Sequence, residues 1–191
     1  DVYKRQGVEM PLSEIEEIVA KNPESIVIVD EAYVDFAGPS ALELLDKYEN
    51  LLVVQTFSKS RSMAGMRIGF AMGHPDLIRA LNDVKYSYNS YTMNLPSLLA
   101  GVEAVKDKEY FEKTIEKIVA TREHAKKRLT ELGFTFPNSQ SNFIFASHKS
   151  VPAEKIFEAL KKEDIYVRFW GSERIEQYMR VTAVSYTHLR A

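Results

Sequence analysis

Cysteine is absent from all 191 residues, which excludes disulfides and thiolate metal sites. Histidine is scarce: His74, His124, His148 and His188 lie far apart without paired ligand spacing, so no metal site is expected. Neither sign of charge dominates, since 25 Lys and Arg stand against 27 Asp and Glu, scattered along the chain. That balance excludes the basic stripe with which proteins grip nucleic acid. No apolar run approaches the roughly 20 residues needed to cross a bilayer, and no signal-peptide pattern opens the chain. The cytoplasm is the expected compartment, with no membrane partner. Repeats and low-complexity linkers are missing too. What remains, 45% hydrophobic and 27% charged residues, is the mixture of an ordinary globular protein.

Apolar spacing predicts helices over 14–21, 41–48, 75–85, 96–105 and 110–132. Ser13 and Glu16 read as a capping box for the first, Pro75 suits the first turn of the third, and Gly133 stops the last. Strands are predicted over 25–29, running into Asp30, and over 51–56 and 67–72. The first two are rich in β-branched residues and read as buried on both faces, as in a parallel sheet. Past residue 114 the pattern changes to short strands at 134–136, 142–147, 165–169 and 178–182 around one helix, 153–162. The expectation is an α/β lobe over 7–114 and a small α+β lobe over 115–182, joined by the long helix. Residues 1–6 and 183–191 fit neither lobe and read as non-native ends around a genuine fragment.

Two predicted strands end in polar groups. Ile26–Val29 runs into Asp30, and Leu52–Thr56 runs into Phe57-Ser58-Lys59. In open α/β sheets ligands collect at the carboxyl ends of strands, so an acid and an amine leaving neighbouring strands there can face one ligand. Arg67 follows in Ala64-Gly65-Met66-Arg67-Ile68-Gly69, where missing side chains allow close backbone approach. These residue types suit pyridoxal 5'-phosphate. A lysine amine condenses with an aldehyde when its surroundings favour the neutral form, and a carboxylate beside a pyridine nitrogen keeps the ring an electron sink. Ser58 and Arg67 suit a phosphate, and Tyr33, three residues after Asp30, suits the ring's phenolic oxygen.

The runs VDEAYVDF (29–36) and TFSKSRSMAGMRIGF (56–70) resemble the cofactor motifs of class I/II, fold-type I aminotransferases, and of these the histidinol-phosphate aminotransferase family most closely. Gly7 matches the last residue of that family's PTG motif. Tyr88-Asn89, Ser141-Asn142-Phe143, Val167-Arg168 and Met179-Arg180-Val181-Thr182 match later landmarks in order. The resemblance spans residues 7–182. It implies a partial large domain with a mostly parallel sheet, then a small α+β C-terminal domain. Lys59 would be the Schiff-base lysine and proton shuttle, with Asp30 on the pyridine nitrogen and Tyr33 on the phenolic oxygen. Ser58 and Arg67 would hold the cofactor phosphate. Arg180 would bind the anionic end of the substrate, and Arg168 would help hold its phosphate, two guanidinium groups suiting a dianion. The implied reaction exchanges an amino group between L-histidinol phosphate and 2-oxoglutarate or glutamate in a homodimer.

Other readings stand beside this one. An aromatic or other amino-acid aminotransferase, or a phospho-amino-acid decarboxylase, would use the same cofactor residues. The family's glycine-rich phosphate cradle and ring-stacking aromatic have no counterpart here, so an inactive, non-catalytic fragment is the alternative outside enzymology. A strand running into Asp30-Glu31 also resembles a Walker B segment, but no GxxxxGK[ST] loop accompanies it. Arg168 and Arg180 are the residue type that elsewhere forms surface ion pairs. Tyr86, Tyr88 and Tyr91 read as packing aromatics, Tyr88 alone matching a family position, and His124 and His148 read as solvated.

Overall fold

The computed structural model describes residues 6–183. The non-native reading of the two ends therefore falls mostly, at residues 1–5 and 184–191, outside the described residues. The chain divides into two compact units. One is Met10–Glu112; the other joins Glu9 and the residues before it to Lys113 and those after it.

In the first unit, helix α1 (Leu12–Lys21) buries Val19 and packs Leu12 and Ile15 beside it, the three lying one turn apart. Pro11 precedes it and no side chain caps it; Ser13 lies inside the helix, so the predicted capping box does not form. Strand β1 (Val27–Asp30) pairs in parallel with β2 (Leu51–Thr56), Val27 opposite Leu51 and Asp30 opposite Val54. Strand β3 (Gly69–Gly73) pairs antiparallel with β2 and starts two residues later than expected. The order β1-β2-β3 leaves β1 at an edge.

Only one face of β1 is covered. Val27 and Val29 pack on the core of Val19, Ala41, Leu44, Leu51 and Val53, whereas Ile28 is 62% exposed. Burial on both faces therefore holds at Leu51–Val53 and fails at β1. The predicted helix over 41–48 shrinks to a 3-10 turn, Ala41–Leu44. Its backbone bonds run three residues back, from Glu43 to Ser40, Leu45 to Leu42 and Lys47 to Leu44, and after this tight winding Tyr48 meets the Glu16 carboxylate at 3.1 Å. Helices α2 (Pro75–Tyr88) and α3 (Leu95–Lys106) complete the unit, the second capped by the Asn94 side chain on Ser97 N–H. Tyr86, Tyr88 and Tyr91 are exposed, not packed.

The second unit takes most of helix α4 (Lys108–Glu131) and a four-stranded antiparallel sheet ordered β4-β5-β7-β6. Its strands are Phe134–Thr135, Phe143–His148, Met179–Thr182 and Arg168–Phe169 for β4, β5, β7 and β6. Ile144 and Ala146 turn one face of β5 onto Ala125 and Leu129 of α4. Helix α5 (Ala153–Lys162) stacks Phe157 on Phe169, ring centroids 5.5 Å apart. His148, expected to be solvated, is half-buried and engaged: Nδ1 accepts the Ser150 and Val151 N–H groups, and Nε2 lies 3.0 Å from the Leu132 carbonyl. His124 is exposed, as expected.

One face of α4 holds the loop before β5. Arg122, 4% exposed, donates to the Ser141 carbonyl and to Gln140, and Lys126 donates to Asn138. Both cations reach Glu123. Desolvation pushes the Glu123 carboxyl up, but hydrogen bonds from Lys126 and Arg122 outweigh it and hold the group below the usual carboxylate range. A carboxyl lowered by folding contributes stability above its unfolded value, about 4.3, and loses it as pH falls through the folded value. Glu123→Gln is therefore expected to lose less stability than the parent on acidification, measured by circular dichroism between neutral and acidic pH.

Candidate active site

Parallel pairing of β1 and β2 sends both chains out of the sheet at one edge. The ladder continues one step beyond β1, where Glu31 N–H donates to the Val54 carbonyl at 2.9 Å. Asp30 ends β1 with its carboxylate accepting the Ala32 N–H at 3.1 Å. From there a run of three-residue bonds, Val34 to Glu31, Phe36 to Tyr33 and Ala37 to Val34, winds the next turn, and Phe36 plugs it into the interior at 3% exposure.

After β2 the chain forms a closed loop. Phe57 N–H donates to the Ile68 carbonyl at 3.1 Å, Met63 N–H returns to the Phe57 carbonyl at 3.0 Å, and Ser62 N–H to the Lys59 carbonyl at 3.2 Å. Ser58 and Arg67 thus flank the two residues that close the loop. Thr56 Oγ1 sits 3.0 Å from Ser58 Oγ and 3.1 Å from the Ile68 carbonyl. Ser62 and Arg67 both have left-handed backbone, φ 56° and 57°, a region that costs a non-glycine residue about 1 kcal/mol or more. Arg67 is exposed, with Nη1 donating to the Ala64 carbonyl. A Cβ at Gly65 would meet open space, so the close approach expected there involves no neighbouring protein atom.

Lys59 Nζ lies 5.6 Å from the centroid of the Tyr33 ring. The structure therefore brings Tyr33 and Lys59 together, on the two turns that leave β1 and β2. Helix α3 backs the loop: Ser97 Oγ donates to the Met66 carbonyl at 2.9 Å, and Gly101 admits Ile68 where a Cβ would come within 3.0 Å. Arg61 lies over Phe111 at 4.1 Å and Phe57 at 5.2 Å and donates to the Ala104 carbonyl in the last turns of α3, where a cation is favoured.

Arg168 and Arg180 lie in the second unit. They face each other across β6 and β7, an in-register pair of like charges, which is destabilising on its own. Both guanidinium groups lie over Trp170, at 5.5 and 5.8 Å, and Arg180 also lies 5.0 Å from the Phe143 ring. Neither forms an ion pair among the described residues, and the buried Nε of Arg180 has no hydrogen-bond partner there. An unsatisfied buried donor on a cation, beside a second cation, is the electrostatic requirement of an anion site.

Several contributors escape a reading of the sequence. Glu31, nearly buried, accepts from Ser40 Oγ at 2.7 Å, Ala41 N–H at 2.6 Å and Gln55 Nε2 at 2.8 Å, joining three segments on one carboxylate. Its place beside Asp30 was the available signal. Asp35, Ser60 and Arg61 lie inside the runs 29–36 and 56–70 but nothing in their types or spacing singles them out, and Trp170 lies in none of the matched runs. Among the described residues no helix is long and apolar enough to cross a membrane, and no cluster of His, Cys, Asp and Glu could hold a metal.

A family model described as aminotransferase class I and II matches residues 5–190. The chain is 53% identical over 177 residues to the histidinol-phosphate aminotransferase of Brachyspira hyodysenteriae, an overlap of 92% of this chain and 50% of that protein. It is 50% identical over 171 residues to the Clostridium acetobutylicum enzyme of the same name, covering 90% and 49% of the two. The chain thus spans about half the length of the curated relatives it matches. In fold it is similar to the histidinol-phosphate aminotransferase of Sinorhizobium meliloti solved in complex with pyridoxal-5'-phosphate, with a TM-score of 0.83 at 22% identity, over 97% of this chain and 51% of that one.

Replacing Glu31 removes the acceptor from three donors at once. Glu31→Ala is expected to lower stability by about 2–3 kcal/mol, the scale of hydrogen bonds to a charged group, and Glu31→Gln by less, as read from urea unfolding.

Proposed function

Because this chain belongs to the class I and II aminotransferase family, we propose that its residues serve a pyridoxal-phosphate-dependent transamination between L-histidinol phosphate and 2-oxoglutarate. The observation that carries this reading is the meeting of Lys59 and Tyr33 at the carboxyl edge of β1 and β2, in a chain about half identical to proteins named histidinol-phosphate aminotransferase. On this reading residues 7–114 are the second half of the cofactor-binding large domain and 115–182 the small C-terminal domain. The whole protein acts in the cytoplasm as a homodimer.

The residues present fit the cofactor. Lys59 supplies an amine for its aldehyde, beside a phenol and on a loop closed at its base. Ser58 and Arg67, the first and last residues of the loop that the Phe57–Ile68 bond closes, supply a hydroxyl and a guanidinium for its phosphate. Asp30, on the end of β1, supplies the carboxylate for its ring nitrogen. When bound, the group serves as an electron sink for the substrate's alpha carbon. Lys59 also moves a proton. With its Nζ free, it would take the proton from the substrate's alpha carbon as a general base and deliver it to the cofactor carbon as a general acid. Asp30 holds a proton on the ring nitrogen, and the Tyr33 O–H donates to the ring oxygen. Arg180 and Arg168 bind the anionic groups of the substrate, which would neutralise the charge they share and give the buried Nε an acceptor.

Two experiments on the full-length protein test this. Lys59→Ala should abolish borohydride trapping of pyridoxal phosphate while the circular dichroism spectrum is retained; cofactor still trapped in that variant would remove Lys59 from the role. Arg180→Ala should raise KM for histidinol phosphate by about tenfold or more, the worth of a hydrogen bond to a charged group, with a much smaller effect on an uncharged analogue. Equal effects on both would eliminate the anchor.

A further inference from the structure

The turn carrying Tyr33 and the loop carrying Lys59 are separate segments, and their mutual placement needs a tie stronger than a ring beside an amine. Ser60, the neighbour of Lys59, is 2% exposed and its hydroxyl donates to the Asp35 carboxylate. Asp35 sits two residues after Tyr33 inside the 3-10 turn Val34–Phe36. That turn is wound by the consecutive bonds from Val34, Phe36 and Ala37 and plugged by Phe36, so holding Asp35 also holds Tyr33. Glu31 secures the other end of the same segment to Gln55 on β2. From these contacts we infer that Asp35 and Ser60 are a positioning pair that sets Tyr33 against Lys59. The inference rests on the reading of Lys59 as the cofactor lysine.

The chemistry favours this arrangement over simple packing. A hydroxyl bound to a carboxylate is a charge-assisted hydrogen bond, about twice as strong as a neutral one, and here the donor is removed from water. Loss of Asp35 leaves a buried hydroxyl unpaired, loss of Ser60 returns the exposed Asp35 carboxylate to water, and either change frees the Tyr33 turn to drift from the lysine. The expected consequence is weaker cofactor capture and a phenol no longer aimed at the ring oxygen, neither acting through a direct contact of Asp35 or Ser60 with the reacting atoms.

The test compares Ser60→Ala, Asp35→Ala, the double variant and Asp35→Asn in the full-length protein, with Lys59→Ala as control. Each is titrated with pyridoxal phosphate, reduced with borohydride and assayed by mass of the trapped product. The pH midpoint of the bound cofactor's visible band is read in parallel. Each alanine variant should need about tenfold more cofactor for half-trapping, the worth of one hydrogen bond to a charged group. The double variant should be no worse than either single one, because both remove the same bond. The midpoint should move upward in the alanine variants, because an anionic ring oxygen loses the donor that stabilised it. Asp35→Asn keeps an acceptor for Ser60 and should restore most of both properties. Should Asp35→Ala fail to fold, Ser60→Ala and Asp35→Asn carry the comparison. Half-trapping and midpoint unchanged, with only a lowered melting temperature, would make the pair merely structural and overturn the inference. Cofactor still trapped in Lys59→Ala would instead defeat the underlying reading of the lysine, an outcome distinct from the first.

Discussion

Parallel pairing of Val27–Asp30 with Leu51–Val54 forces two segments of chain to leave the sheet at the same edge. An antiparallel pair would send them to opposite edges, with Asp30 and Lys59 a full strand length apart. The pairing is possible because the connection from β1 to β2 is long enough to return to the starting edge, as parallel strands require. Its middle, Ala41 and Leu44, is buried with Val19 and Leu51, so the return path is part of the core. What the strands deliver is then trimmed by polar contacts: Glu31 across to Gln55 and Ser40, Ser60 across to Asp35, and Thr56 across to Ser58 and Ile68. The hydrophobic core sets the edge, and hydrogen bonds set the positions of the turns on it.

In the second unit the order of importance is reversed. Burial of Ile144 and Ala146 on α4 is ordinary packing, but the same sheet carries two facing arginines around one tryptophan. Aromatic rings offer these cations partial compensation, and a buried guanidinium nitrogen remains without an acceptor among the described residues. Local discord of this kind belongs where a ligand completes the structure. It is the feature least explained by stability alone.

Legibility tracked the range of the interactions involved. The strand at Leu51–Thr56 and the helix at Ala153–Lys162 stand at the residues their patterns indicate, since an apolar run and an amphipathic stripe are written in neighbouring positions. Over 41–48 the same kind of stripe misleads, because over so short a stretch apolar spacing fits a 3-10 turn as well as an α-helix. Ile28 departs from expectation for a different reason: β-branched residues announce a strand but not what covers each face. The nearness of Tyr33 to Lys59 follows from two polar strand ends placed on one sheet edge. The contacts of Glu31, Asp35 and Ser60 could not be read in this way, since their partners lie between nine and 25 residues away and are chosen by the fold. Trp170 likewise gains meaning only once β6 pairs with β7.

Gly7 packs so closely on the loop before β5 that a Cβ would lie 2.6 Å from both Ser139 Oγ and Ser141 Oγ, and its carbonyl accepts the Gln140 N–H. Its left-handed φ of 75° also favours glycine. The second unit is therefore discontinuous in the chain, with Met10–Glu112 spliced into it. During synthesis, which proceeds from the N-terminus at about 5–20 residues per second, Met10–Glu112 emerges before the partners of Gly7 exist. A nascent chain can thus pair β1, β2 and β3 while the segment around Gly7 is still unpaired and awaiting a loop many seconds behind it. Translation order gives the inserted unit a head start over the contact between Gly7 and the loop before β5.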